Sequence, residues 1–155
     1  MELNSGDAAP TFALTDENGK LVSTDAMRGK KYVVYFYPKD DTPGCTIEAI
    51  DFSELQDAFL GLDTVVLGVS MDDCVSHGSF RDKHGLAVQL LADAEGEVCT
   101  KYGVLQEKEA GGKGRKRCIV RSTFVIDKKG LVRHALYGVN ARGHATEVLN
   151  LVKVL

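Results

Sequence analysis

Cys45 is the residue in this chain best placed to do chemistry, and it stands at the end of the segment Tyr37–Cys45, YPKDDTPGC. An apolar, β-prone run (Tyr32, Val33, Val34, Tyr35, Phe36, Tyr37) stops at Pro38, and after a short polar loop Cys45 opens a helical pattern reaching about Leu60. In the first turn of a helix a sulfur meets backbone N–H groups without intrahelical partners and the positive end of the helix dipole. Both favour the thiolate over the thiol. Pro43 and Gly44 leave little bulk around the sulfur, and Thr42 places a hydroxyl three residues before it. Pro38 and Pro43 fix φ and stiffen the loop. The pattern predicts a reactive thiol.

Pro38, Thr42 and Cys45 stand in the spacing P-x-x-x-T-x-x-C, and with it the chain resembles the peroxiredoxins. The fuller string YFYPKDDTPGCTIEA is similar to the bacterioferritin comigratory protein subgroup, also called peroxiredoxin Q. A second matching block, RSTFVID at Arg121–Asp127, carries the residue that resembles the family's second-site arginine. The resemblance runs from the GDAAPTFALTDENG opening to the final helix. It implies a thioredoxin-like fold and thiol-dependent reduction of hydrogen peroxide and organic hydroperoxides, with no metal, heme or flavin. It also implies recycling by thioredoxin or a similar thiol reductant.

That reaction sets chemical demands which particular residues can meet. A thiolate attacks one peroxide oxygen while the O–O bond breaks, so negative charge moves from sulfur to the leaving oxygen. Thr42 can donate to or accept from the peroxide, and the N–H groups around Gly44 and Cys45 can hold its oxygens. An arginine supplies a permanent cation with several donors in fixed geometry. Arg121 is the candidate, because it lies in the matching block and its strand is expected beside the one feeding Cys45. Glu48, one turn after Cys45, could pair with Arg121 and orient it. Each residue also has an ordinary explanation: Thr42 as a turn or helix cap, Glu48 as a charge compensating the helix dipole, Arg121 as an edge-strand cation.

The elements that must position these residues read as alternating β and α. Thr11–Thr15 and Lys20–Ser23 flank a turn containing Asn18-Gly19, a hairpin signal. Lys31–Tyr37 and Thr64–Ser70 read as buried central strands. The helix from Cys45 carries Glu48, Phe52, Leu55 and Phe59 along one stripe. Cys74–His84 reads as a helix ended by Gly85, Leu90–Ala92 as a short strand and Glu95–Tyr102 as a short helix. Glu107–Lys116 is expected to be a glycine-rich basic loop, which overlaps the GGKGRKR stretch at Gly111–Arg117. Cys118–Ile126 and Leu131–Tyr137 read as strands joined by a hairpin turn, and His144–Leu155 as the closing helix. The expected fold is α/β and thioredoxin-like: a central mixed sheet flanked by helices, with an N-terminal β-hairpin extension, all in a single domain over residues 1–155.

Composition removes several other classes. The 155 residues are 44% hydrophobic and 26% charged with a net charge of −3, which gives no reason to expect nucleic acid or an anionic membrane as partner. No apolar run approaches the roughly 18 residues of a membrane span. The opening MELNSGDAAP has no basic and apolar leader pattern, so a cytoplasmic location is expected, with the chain a monomer or weak homodimer. The cysteines at 45, 74, 99 and 118 form no metal-ligand spacing, and no metal or other cofactor is expected. His77, His84, His134 and His144 share no motif and are expected at the surface. Many members of the resembled subgroup carry a second, resolving cysteine five residues after the first, where Ile50 stands here, or on the next helix, at a position that looks like Arg81. Neither is a cysteine, so a one-cysteine cycle is favoured, with Cys74 as the possible internal resolver. A dithiol–disulfide oxidoreductase, or a non-catalytic redox sensor or holdase using Cys45 as a switch, remain the alternatives.

Overall fold

The apolar runs of the sequence become the middle strands of one mixed sheet. The computed structural model describes residues 2–109 and 115–155. In chain order the strands and helices are β1 (Ala13–Asp16), β2 (Leu21–Ser23), β3 (Lys31–Phe36), α1 (Pro43–Glu54), α2 (Gln56–Gly61), β4 (Thr64–Ser70) and α3 (Cys74–His84). They continue with β5 (Gln89–Ala92), α4 (Glu97–Lys101), β6 (Leu105–Glu109), β7 (Arg115–Ile119), β8 (Ser122–Ile126), β9 (Val132–Tyr137) and α5 (His144–Lys153). Seven strands form the main sheet in the order β2-β1-β5-β4-β3-β8-β9, while β6 and β7 pair as a separate hairpin. The core strands β3, β4 and β5 are parallel, and the outer ones antiparallel.

Alternation along β3 divides the interior in two. Val33, Tyr35 and Tyr37 face a core shared with α1, α2, α3 and α5. Tyr32, Val34 and Phe36 face a second core with Phe12, α4 and the start of the β6–β7 hairpin. Tyr35 lies opposite Gly68 on β4, and its ring fills the space a side chain there would need: a Cβ at 68 would stand 2.7 Å from Tyr35 Cζ. The same ring stacks on Phe52 of α1, with centroids 4.5 Å apart. Among the described residues no helix is long and apolar enough to cross a membrane.

Three expectations need correction. The helix after the loop starts at Pro43 and breaks at Leu55 (φ −95°, ψ 5°), and the bend lets Phe52 and Phe59 enter one core with rings 6.0 Å apart. The described part of 107–116 belongs to β6 and β7, while residues 110–114 of the expected loop lie outside the described residues. Cys118–Ile126 is two strands in two sheets. The Val120 N–H bonds back to the Val104 carbonyl (2.8 Å), whereas the Arg121 carbonyl accepts from Val139 (2.9 Å), so the chain changes sheets between those two residues.

Candidate active site

Thr42 is extended (φ −94°, ψ 154°) and caps α1, with Pro43 at its start. Proline suits that place because its missing N–H would have no acceptor in the helix anyway. The first helical hydrogen bond runs from Thr46 N–H to the Thr42 carbonyl, 2.8 Å. The N–H groups of Gly44 and Cys45 precede it, so no carbonyl of the helix is available to them. Cys45 itself is 1% exposed and packed into the core beside α5. An open cleft of about 510 Å³ adjoins it, lined by Pro43, Gly44, Ile47, Asn140, Ala141 and Arg142.

Arg121 arrives from the other side by strand register. Phe36, the last residue of β3, pairs with Ser122, the first of β8, so Arg121 stands beside the exit of β3 from which the loop to Cys45 departs. Its Nη2 donates to Cys45 Sγ at 3.4 Å and its Nη1 to Glu48 Oε1 at 2.8 Å. Burial works against the guanidinium's charge, but Glu48 and the Cys45 sulfur outweigh it and hold its pKa above the ordinary value. Glu48 is fully buried, and its Oε2 has no hydrogen-bond partner among the described residues. Burial raises its carboxyl from 4.5 to about 7 in spite of Arg121. Gly44 permits this close approach: a Cβ there would lie 3.0 Å from Arg121 Nη2.

The structure therefore brings Cys45, Glu48 and Arg121 into contact, with Thr42 at the lip. The Thr42 hydroxyl donates to the Lys39 carbonyl (2.9 Å), which leaves its lone pairs to accept a hydrogen bond. Pro38 is exposed at the strand exit, and what it offers is its fixed φ.

The remaining cysteines are free thiols in other places. Cys99 is buried, and burial followed by its contact with Asp93 pushes its thiol pKa far up. Cys118 sits on β7 opposite Gln106, in a different sheet from the strand that follows Arg121. Cys74 opens α3 with its sulfur 3.1 Å from Thr15 Oγ1 on β1. In the sheet order β1 is three strands from β3, roughly 14 Å at about 4.8 Å per strand. A disulfide requires Cα atoms within about 7 Å.

Two histidines expected at the surface are buried. His144 Nε2 lies 2.7 Å from Thr123 Oγ1, its ring meets Phe52 edge-on at 6.2 Å, and burial lowers its pKa. His77 is 0% exposed and bonded to Asp40, a loop residue whose part in the site sequence reading also missed. Both partners are polar residues with no shared motif, so only the fold reveals them. Asp40, Asp72 and His77 bring ligand atoms within 4.8 Å of one another. Asp40 Oδ2 contacts His77 Nδ1 (2.7 Å), and Asp72 Oδ2 accepts from the Asp40 N–H (2.8 Å) and the Ser70 hydroxyl (2.8 Å).

The AhpC/TSA family model matches residues 5–135. Peroxiredoxin Bcp of Bacillus subtilis is 40% identical over 153 residues, covering 99% of this chain and 97% of that protein. The bacterioferritin comigratory protein of Xanthomonas campestris, solved in a study of alkyl peroxide reduction, superposes with a TM-score of 0.87 at 38% identity, covering 92% of this chain and 90% of that one. A cysteine-to-serine variant of PrxQ from Xylella fastidiosa gives a TM-score of 0.92 at 33% identity over 99% of this chain and 98% of its own.

Proposed function

This chain belongs to the AhpC/TSA family and is a peroxiredoxin, and from that premise we propose that Cys45 is the nucleophile that reduces its peroxide. The observation that carries the proposal is the Arg121 guanidinium, which touches both the Cys45 sulfur and the buried Glu48 carboxyl at the start of α1. The Cys45 thiolate attacks the hydroxyl oxygen of the peroxide, an S–O bond forms, and the O–O bond breaks. The leaving oxygen departs as hydroxide or alkoxide and takes a proton from water. Arg121 and the free N–H groups of Gly44 and Cys45 stabilise charge as it crosses from sulfur to oxygen. Thr42 accepts from the peroxide hydroxyl, Pro38 stiffens the loop, and Glu48 orients Arg121. The product is Cys45 sulfenic acid.

The second half of the cycle uses one external thiol after another. The first displaces water from the sulfenic acid to give a mixed disulfide, and a second releases Cys45 as thiol. Thioredoxin or a similar dithiol is the proposed reductant, the one that resemblance to peroxiredoxins implies. Ile50 and Arg81 at the resolver positions, together with Cys74 beside Thr15, support a one-cysteine cycle. The test is the triple variant lacking Cys74, Cys99 and Cys118, supplied with peroxide and a small thiol. It should sustain most of the multi-turnover rate and leave a dimedone adduct at Cys45 when thiol is withheld. A variant that stalls after one turnover while the parent cycles would establish an internal resolver.

The Glu48 carboxyl gives this reading a pH signature. With a pKa near 7, it is charged above that pH and neutral below it. Acid should therefore loosen its hold on Arg121, and the peroxide step should slow as pH falls through 7. Glu48→Gln should remove that limb and hold the rate at its low plateau. The stability effect has the opposite sign. Between about 4.5 and about 7 the folded state keeps a proton the unfolded chain has released, so stability declines as pH rises across that window. In Glu48→Gln that decline should vanish from a melting-temperature series against pH.

A further inference from the structure

Two residues before Thr42, the loop leading to Cys45 turns inward. Asp40 is buried, and its two carboxylate oxygens and its N–H are all bonded. Its Oδ1 accepts from the Tyr37 hydroxyl (2.6 Å), its Oδ2 from the Ser76 hydroxyl (2.8 Å) and contacts His77 Nδ1 (2.7 Å), and its N–H donates to Asp72 Oδ2 (2.8 Å). The other nitrogen of His77, Nε2, lies 2.9 Å from the Leu91 carbonyl on β5. A carbonyl oxygen only accepts, so Nε2 carries a hydrogen, and the short Nδ1–Asp40 contact holds a second proton between ring and carboxyl. His77 and Asp40 therefore form an imidazolium–carboxylate pair at the inner end of α3. On the outside of the same loop Asp41, in left-handed conformation (φ 58°), accepts from Lys83 (2.7 Å) and His84 (2.9 Å) near the other end of α3. The loop is thus fastened to α3 on its buried and its exposed side, and the next residue is Thr42.

We infer that His77 is a positioning residue for the peroxide step, its shared proton with Asp40 fixing the loop that sets Thr42 and the first turn of α1. The inference rests on Cys45 as the nucleophile. The groups facing the ring are Tyr37 just after β3, Asp40 in the loop, Asp72 before α3, Ser76 on α3 and the Leu91 carbonyl on β5. Burial opposes the ring's charge, but Asp40, the Leu91 carbonyl and Asp72 outweigh it and raise its pKa above 6.5. The direction of the switch follows. When pH climbs past that raised value the shared proton leaves, a carboxylate then faces the ring's bare lone pair, and the loop loses its inner fastening. Peroxide reduction should decline on the alkaline side, whereas loss of Glu48 charge slows it on the acid side.

The experiment has two arms. Nitrogen-15 NMR of the unaltered protein should show both His77 ring nitrogens protonated at pH 7, with a titration midpoint that coincides with the alkaline limb of kcat/KM for peroxide. A ring neutral at pH 7, or a midpoint unrelated to that limb, overturns the inference without any variant having to fold. In the second arm His77→Gln, which can donate to only one of the two acceptors at a time, should lower kcat/KM for peroxide about tenfold or more and erase the alkaline limb. Iodoacetamide alkylation of its Cys45, which needs no aligned peroxide, should change far less. Full peroxide activity with an unchanged pH profile sinks the positioning role. Absence of a peroxide-dependent dimedone adduct at Cys45 in the unaltered protein sinks the nucleophile instead, so the two failures are distinct.

Discussion

Replacing Cys45 by serine should abolish peroxide reduction, by at least about three orders of magnitude. A serine hydroxyl is essentially un-ionised near neutral pH, and among the described residues the side chain bonded to this sulfur is the Arg121 guanidinium, which is no base. Neither the helix N-terminus nor the arginine makes an alcohol into an alkoxide at that pH. The change should leave the fold intact, since serine matches the shape of a side chain that is 1% exposed and keeps the hydrogen bond from Arg121. Peroxide consumption with a thiol, measured beside circular dichroism of the same sample, gives the result. Substantial turnover by Cys45→Ser would place the chemistry elsewhere.

The second large effect is expected from Arg121→Met, which keeps length and apolar stem while removing charge and donors. Loss of a donor aimed at developing charge typically lowers a rate by about 10²–10³-fold, and that is the expected fall in kcat/KM for peroxide. The variant also deprives the buried Glu48 of its partner. Because that carboxyl already titrates near 7, it can answer by keeping a proton, so the loss of stability should be modest, about 1–3 kcal/mol for a charged hydrogen bond. Adding Glu48→Gln should recover part of the stability and none of the rate. Parallel recovery of both would mean that Arg121 matters to packing alone.

Much of the frame was legible because its signals are local. α3 runs over Cys74–His84 as read, since Asp73 caps it by accepting from the Ser76 N–H (2.8 Å) and Gly85 closes it in left-handed conformation (φ 62°). β4 was equally plain from its apolar run bounded by turns. The sheet change at Val120–Arg121 left no clear trace, because β-prone residues stand on both sides of it with no Gly or Pro between, and only remote partners, Val104 and Val139, divide the strand. The β6–β7 hairpin was hidden by its charge and glycine, which resemble a loop when no alternating apolar face is present. Within the site, Cys45 and Thr42 could be read from the loop, but Arg121 needed the resemblance, being 76 positions from the sulfur it touches. Asp40 and His77 are 37 positions apart, and a buried pair at that separation has no pattern to betray it.

The close fit of Tyr35 over Gly68 restricts the order in which this sequence can change. A β-carbon at 68 would overlap the phenol, and the phenol cannot retreat without pushing Phe52, on the helix whose first turn holds Cys45. A lineage that enlarged residue 68 first would disturb α1 in a single step. One that first shortened residue 35 would open room and could then accept alanine at 68 with little harm. Substitutions at the two positions should therefore be coupled, with residue 35 changing first, although neither belongs to the proposed site.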